Sequence, residues 1–104
     1  MPNFVFAYHG GTTPQDPEEI DRVMAAWGSW FESMGDAVVD TGNPVGMSST
    51  VTRDGVLDSG GANPISGYSI ITAGSQADAN EIAKGCPMVN DGSGSVEVAE
   101  VFEI

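Results

Sequence analysis

Positive charge is what this chain has least of. Against 15 acidic residues it carries three basic ones, Arg22, Arg53 and Lys84, for a net charge of −12 at pH 7. Those three are scattered, so no basic stripe exists to displace counterions from phosphates, which argues against nucleic-acid binding. Docking on an anionic membrane surface fails for the same reason, and the excess acidity serves solubility instead. A single cysteine, Cys86, has no internal disulfide partner and points to a reducing, cytoplasmic setting. One histidine and one cysteine cannot build a four-ligand zinc site, so no metal is expected. Gly10-Gly11 and Gly60-Gly61 match neither phosphate-binding glycine motif, so no nucleotide cofactor is expected either. No apolar run approaches the ~18 residues of a membrane-spanning helix. The start, Met1-Pro2-Asn3-Phe4, lacks the basic and apolar stretches of a signal peptide.

What is present reads as one domain of 104 residues with an ordinary 40% hydrophobic content, enough for a single core. Phe4-Val5-Phe6-Ala7-Tyr8 is an apolar strand that delivers the lone His9 into a Gly10-Gly11 turn. A turn over 12–17 follows. Asp16 supplies an N-cap acceptor, Pro17 suits the first helical position, and Glu18 and Glu19 face the positive end of the helix dipole. Ile20, Val23, Met24, Trp27, Trp30, Phe31 and Met34 then recur in steps of three and four, the stripe of an amphipathic helix that Gly35 closes.

Residues 37–40 form a short strand. Segments 50–53 and 56–58 flank Asp54-Gly55, a pair suited to a two-residue hairpin turn. The region 59–64 is loop by composition, and 67–72 is a strand. Ser75 caps a second helix through Lys84, whose apolar positions are Ala77, Ala79, Ile82 and Ala83. Gly85-Cys86-Pro87 ends it, a polar loop runs to Ser95, and 96–102 is the last strand. Strand, helix, strand, inserted hairpin, strand, helix, strand is the order of an α+β ferredoxin-like βαββαβ sandwich. Two helices cover one face of a four-stranded sheet, yet the first strand is apolar on both faces. A second copy of the chain, sheet against sheet, is the expected cover.

The strand Gly67-Tyr68-Ser69-Ile70-Ile71-Thr72-Ala73, the Ser75-capped alanine-rich helix and the Ala83-Lys84-Gly85-Cys86-Pro87 ending, with the Asp54-Gly55 hairpin ahead of them, resemble the YCII-related family and its DGPF-type members. The likeness implies a homodimer of the α/β-barrel type. It also implies, for a few members, a lyase or dehydrochlorinase activity centred on a histidine–aspartate pair. Many relatives carry that histidine in the first helix, where this chain reads Ala25-Ala26-Trp27-Gly28-Ser29-Trp30. In place of the literal DGPF string stands Asp54-Gly55-Val56-Leu57.

Topology gathers segments 9–17, 41–66 and 85–95 at one loop-rich pole, the place where binding is expected. His9 is the side chain suited to exchange a proton near neutrality. Asp40 or Asp58 is expected to orient it, Tyr68 to donate to a substrate oxygen, and Trp27, Asn43, Asn63 and Ser66 to contact a small molecule. The reaction class is metal-free proton transfer or elimination. A non-catalytic small-ligand-binding protein and an accessory dimerisation module stand as alternatives. The acids of the last strand, Glu97 among them, read as a solvated edge, and Cys86, at a helix C-terminus, reads as structural.

Overall fold

The computed structural model describes residues 1–11 and 13–104; Thr12, placed by sequence in the turn after the first strand, lies outside the described residues. Six strands and three helices follow in the order β1 (Asn3–Gly10), α1 (Pro17–Met34), β2 (Val38–Asp40), β3 (Thr50–Thr52), β4 (Gly55–Leu57), β5 (Ile65–Thr72), α2 (Gln76–Ala83), α3 (Pro87–Asn90) and β6 (Gly94–Glu100). A single 3-10 turn, Gly35–Ala37, leads into β2. The fold is ferredoxin-like: an antiparallel sheet in the order β2-β5-β1-β6, with the helices on one face and β3-β4 as a separate hairpin.

Local chemistry sets the helix starts. The Asp16 carboxylate accepts from the Glu19 amide at 2.8 Å, with Pro17 at the first helical position. The Ser75 hydroxyl accepts from the Asp78 amide at 3.1 Å and starts α2. Strand periodicity sets the core. Phe4, Phe6 and Tyr8 of β1 point at the helices and are buried, as is Ile71 of β5. Trp30 stacks on Phe6 with ring centroids 6.1 Å apart, and Ala79, Ala83 and Cys86 close the layer from α2 and its end.

Strand β5 begins at Ile65, two residues before the expected 67, and four further features depart from the sequence reading. The polar stretch after Cys86 holds a one-turn helix, α3, begun by Pro87 at its first position and buried at Met88. The hairpin pairs Thr52 with Gly55, so its two-residue turn is Arg53-Asp54, one position earlier than the Asp54-Gly55 pair. Strand β6 runs two residues earlier than expected at both ends, because pairing with β1 matches Ser95 to His9 and Gly94 to Gly10. The stripe of α1 is also not uniformly buried: Ile20 and Met24, in its first half, are exposed.

The face away from the helices carries Val5 opposite Ile70 and Ala99, and Ala7 opposite Tyr68. Its centre is apolar, as the alternation of β1 requires. Among the described residues no helix is long and apolar enough to cross a membrane.

Candidate functional site

The loop-rich pole does come together. The Gly11 amide donates to the Ser93 carbonyl at 2.9 Å, joining the turn after β1 to the one before β6. The 41–45 loop is tied to β5 by the Val45 amide on the Ser66 carbonyl, 3.0 Å, and the Tyr68 amide on the Asn43 carbonyl, 3.2 Å. Between this loop, β1 and the first half of α1 lies a cavity of about 700 Å³.

Aromatic and thioether groups dominate its wall: Tyr8, Trp27, Phe31, Met24 and Met88. Tyr8 and Trp27 meet edge to face at 5.0 Å, and Trp27 meets Trp30 the same way at 5.6 Å, an arrangement aromatic quadrupoles favour. The exposure of Met24, which weakens α1 as a core helix, is what leaves this side of the helix free to face a ligand. Polar residues are few: Thr13 before α1, and Thr41, Asn43, Ser66 and Tyr68 on the strand side. No charged side chain is among the residues lining it.

Ser66 has a structural reason to be there. Tyr8 pairs with Gly67 and His9 with Ile65, so Ser66 is an extra residue on β5, a bulge. Bulges re-aim a side chain and recur beside binding sites. The Ser66 hydroxyl is buried and has no hydrogen-bond partner among the described residues. A buried hydroxyl without a partner costs about 1–3 kcal/mol, an expense that a ligand oxygen or nitrogen would relieve.

Beneath the wall runs a hydroxyl chain. The Tyr8 hydroxyl donates to Ser69 Oγ at 2.8 Å, and Ser69 Oγ donates to the Thr41 carbonyl at 2.6 Å. Burial pushes the Tyr8 phenol well up from its ordinary value, against the smaller lowering effect of Ser69, so it stays a neutral donor. Gly42 completes the loop with φ of 69° and its amide on Asp40 Oδ1 at 2.8 Å. A Cβ there would collide with the Tyr68 carbonyl, so only glycine fits.

His9 sits at the same pole but does not line the cavity. Its Nε2 meets Glu97 Oε1 at 2.9 Å, while Nδ1 faces the carbonyls of Asn63 at 3.0 Å and Pro64 at 3.2 Å. In the protonated ring Nδ1 donates to the carbonyls and Nε2 to the carboxylate, since both kinds of partner accept. The ring is 13% exposed and its partner carboxylate 71%, which makes the pair a shallow one. Its pKa is raised, first by the hydrogen bond to Glu97, against a lowering from burial, and then by the two carbonyls. His9 is thereby a clip joining β1, β6 and the segment that enters β5, complete when its ring is protonated.

The carboxylate at His9 is Glu97, not either of the aspartates considered from sequence. Antiparallel pairing explains it: His9 lies opposite Ser95 and Ala7 opposite Glu97, so His9 and Glu97 are diagonal neighbours on one face. Asp40 is on β2, separated from β1 by β5, and is occupied by Gly42. Asp58 is exposed at the foot of the hairpin, outside the cavity. Asn63 meets His9 through its backbone carbonyl. Trp27, Asn43 and Ser66 do line the cavity; Tyr68 borders it from β5, but its pairing with Ala7 starts its side chain from the face away from the helices. Tyr8, Met24, Phe31, Thr41 and Met88 line it as well, and the sequence reading left them as core or loop. The one signal for them was the Tyr8 hydroxyl at the end of an apolar strand face, which needs a polar neighbour.

Burial pushes the Cys86 thiol up, which removes it as a nucleophile. Among the described residues no three His, Cys, Asp or Glu side chains gather as metal ligands would. A second, more open groove of about 710 Å³ runs on the α3 side of Trp27 and Met88 and holds Arg22 and Asp91 at its rim.

No family model matches the sequence. No curated protein matches it either. Among solved structures, the chain is similar to 5-chloro-2-hydroxyhydroquinone dehydrochlorinase from Burkholderia phenoliruptrix AC1100 in complex with 2,5-dihydroxybenzoquinone. The TM-score is 0.59 at 16% sequence identity, over 98% of this chain and 95% of that one. At that identity the likeness is one of fold.

Proposed function

We propose that this chain binds a small, flat, largely apolar molecule in the cavity between α1 and the 41–45 loop. The observation that carries the reading is the composition of that cavity: aromatic walls, no lining charge, and the unpartnered Ser66 hydroxyl. Small-molecule sites are of this size and make-up, apolar with a few placed polar groups. A ring would lie against Trp27 and Tyr8, with a ring oxygen or nitrogen at Ser66 or Asn43. The shared fold with a protein that holds a dihydroxybenzoquinone supports the same ligand class.

Lyase-like proton transfer or elimination on that ligand is the second reading, favoured by the dehydrochlorinase activity of the fold neighbour. His9 with Glu97 is then the proton store at the pole. Binding stands first because both nitrogens of His9 are already engaged and neither residue of the pair reaches the cavity. Membership of the YCII-related family, a cytoplasmic setting and a homodimer of the barrel type belong to the same proposal. The dimer rests on the apolar centre of the open sheet face, built from Val5, Ala7, Tyr68 and Ile70.

Isothermal titration with 2,5-dihydroxybenzoquinone, catechol and hydroxybenzoates tests the binding. At least one should give a saturable single site. Trp27→Leu should weaken it tenfold or more, and Ser66→Ala about three- to tenfold, the worth of one hydrogen bond. A panel with no saturable ligand, or affinity untouched by Trp27→Leu, removes the cavity from the function.

A further inference from the structure

The cavity between α1 and the 41–45 loop has little with which to hold an anion. Among the described residues that line it, none is charged. The charged side chains of the surrounding elements are engaged elsewhere. Arg22 and Asp91 line the open groove beyond Trp27 and Met88, His9 and Glu97 pair with each other, and Asp40 accepts from the Gly42 amide. The chain as a whole carries −12, so its field also opposes a negative ligand on approach.

An anion without a counter-ion can still be held where backbone amides converge on it. Here the amides of the wall already donate within the protein. Gly42 donates to Asp40 Oδ1 at 2.8 Å and Val45 to the Ser66 carbonyl at 3.0 Å. Tyr68 donates to the Asn43 carbonyl at 3.2 Å and Gly11 to the Ser93 carbonyl at 2.9 Å. Pro14 and Pro44, also in the wall, have no amide hydrogen. The Tyr8 hydroxyl donates to Ser69 and not into the cavity.

The buried polar group left over is the Ser66 hydroxyl. One hydroxyl donates one hydrogen bond, too little to offset the dehydration of an ionised oxygen. It suits a neutral hydroxyl, to which it can donate and from which it can accept. The protein's own phenol behaves as a ring hydroxyl would in this wall. Burial pushes the Tyr8 hydroxyl well up from its ordinary pKa.

We infer that the cavity takes its ring ligand uncharged: a phenol or catechol with its hydroxyls protonated, and not a phenolate or a ring carboxylate. The inference rests on the ring-binding reading above and narrows its ligand. Of the probes named there, it keeps catechol and sets aside the hydroxybenzoates and the dihydroxyquinone, which are anions near neutrality.

Two probes test this on the whole chain. Catechol stays protonated between pH 6 and pH 8, whereas 4-nitrocatechol loses a proton in that range and changes colour as it does. Catechol is therefore the control for any change in the protein itself, His9 included. In calorimetric titration, 4-nitrocatechol should bind at least tenfold more weakly at pH 8 than at pH 6, once the change seen with catechol is divided out. The absorbance of its bound fraction at pH 8 should be that of the protonated form. Val45→Lys sets a cation in the wall at a 40% exposed position and should narrow the pH gap severalfold. Equal affinity at the two pH values, or a bound spectrum of the ionised form, overturns the preference and leaves the ring site standing. A gap unmoved by Val45→Lys overturns the charge argument behind it. No saturable binding of either probe at either pH overturns the ring site and this inference together.

Discussion

Replacing Ser69 by alanine should cost more than replacing Tyr8 by phenylalanine, although each change deletes one hydroxyl. Tyr8 is the terminal donor of the buried chain Tyr8–Ser69–Thr41, with links of 2.8 and 2.6 Å. Tyr8→Phe removes that donor and leaves Ser69 still bonded to Thr41. The loss is one net hydrogen bond, about 0.5–1.5 kcal/mol. Ser69→Ala removes the middle link. The phenol loses its acceptor and the Thr41 carbonyl its donor, both then facing a methyl group at a site with no exposure. Stranding both should cost about 2–4 kcal/mol. For a domain of this size the gap between the variants is about 10 °C in Tm. Urea unfolding at one fixed protein concentration, extrapolated linearly to water with an unchanged slope, measures both. The double variant sharpens the test: with the phenol gone there is one fewer stranded group, so the combined cost should fall about 1 kcal/mol below the sum. Equal single costs, or strict additivity, would show that the three groups do not act as a chain.

His9 gives a pH test. Its folded pKa is raised, chiefly by Glu97, so the clip's contribution is complete below the unfolded value of about 6.5 and is lost as pH rises through the folded one. Thermal midpoints should therefore decline from pH 6 towards 8, and His9→Gln should flatten that slope; a wild-type profile that rises over this window contradicts the clip. Gly42→Ala should destabilise by about 2–4 kcal/mol, because it adds a left-handed residue penalty to a collision with the Tyr68 carbonyl. The same change should abolish ligand binding even where the protein still folds, and calorimetry at low temperature separates the two effects.

Much of the fold was legible because local and global signals agree. The Asp16-Pro17-Glu18-Glu19 run starts α1 where it predicts, and the alternation of Phe4, Phe6 and Tyr8 names the core face of β1. The order of elements then dictates the β2-β5-β1-β6 sheet. The features that were not legible are those set by a distant partner. α3 is a single turn in a segment whose Gly, Ser, Asn and Asp read as loop, and its Cys86 cap makes no side-chain bond. The bulge at Ser66 exists only relative to β1, so no local pattern announces it. Glu97 reaches His9 across 88 positions of sequence through antiparallel register, and among 15 acids nothing in the sequence singled it out.

The segment held by His9 has a thermodynamic corollary. Asn63 and Pro64, whose carbonyls it grips, lie between strand β4 of the hairpin and the bulged Ser66. A ligand at Ser66 and a proton on His9 should then be linked through that short segment: whatever factor one adds to the binding of the other is returned in kind. Saturation curves measured at pH 6 and at pH 8 should then not superimpose. Protonation of a single imidazole would set how firmly the bulged edge of the cavity is held.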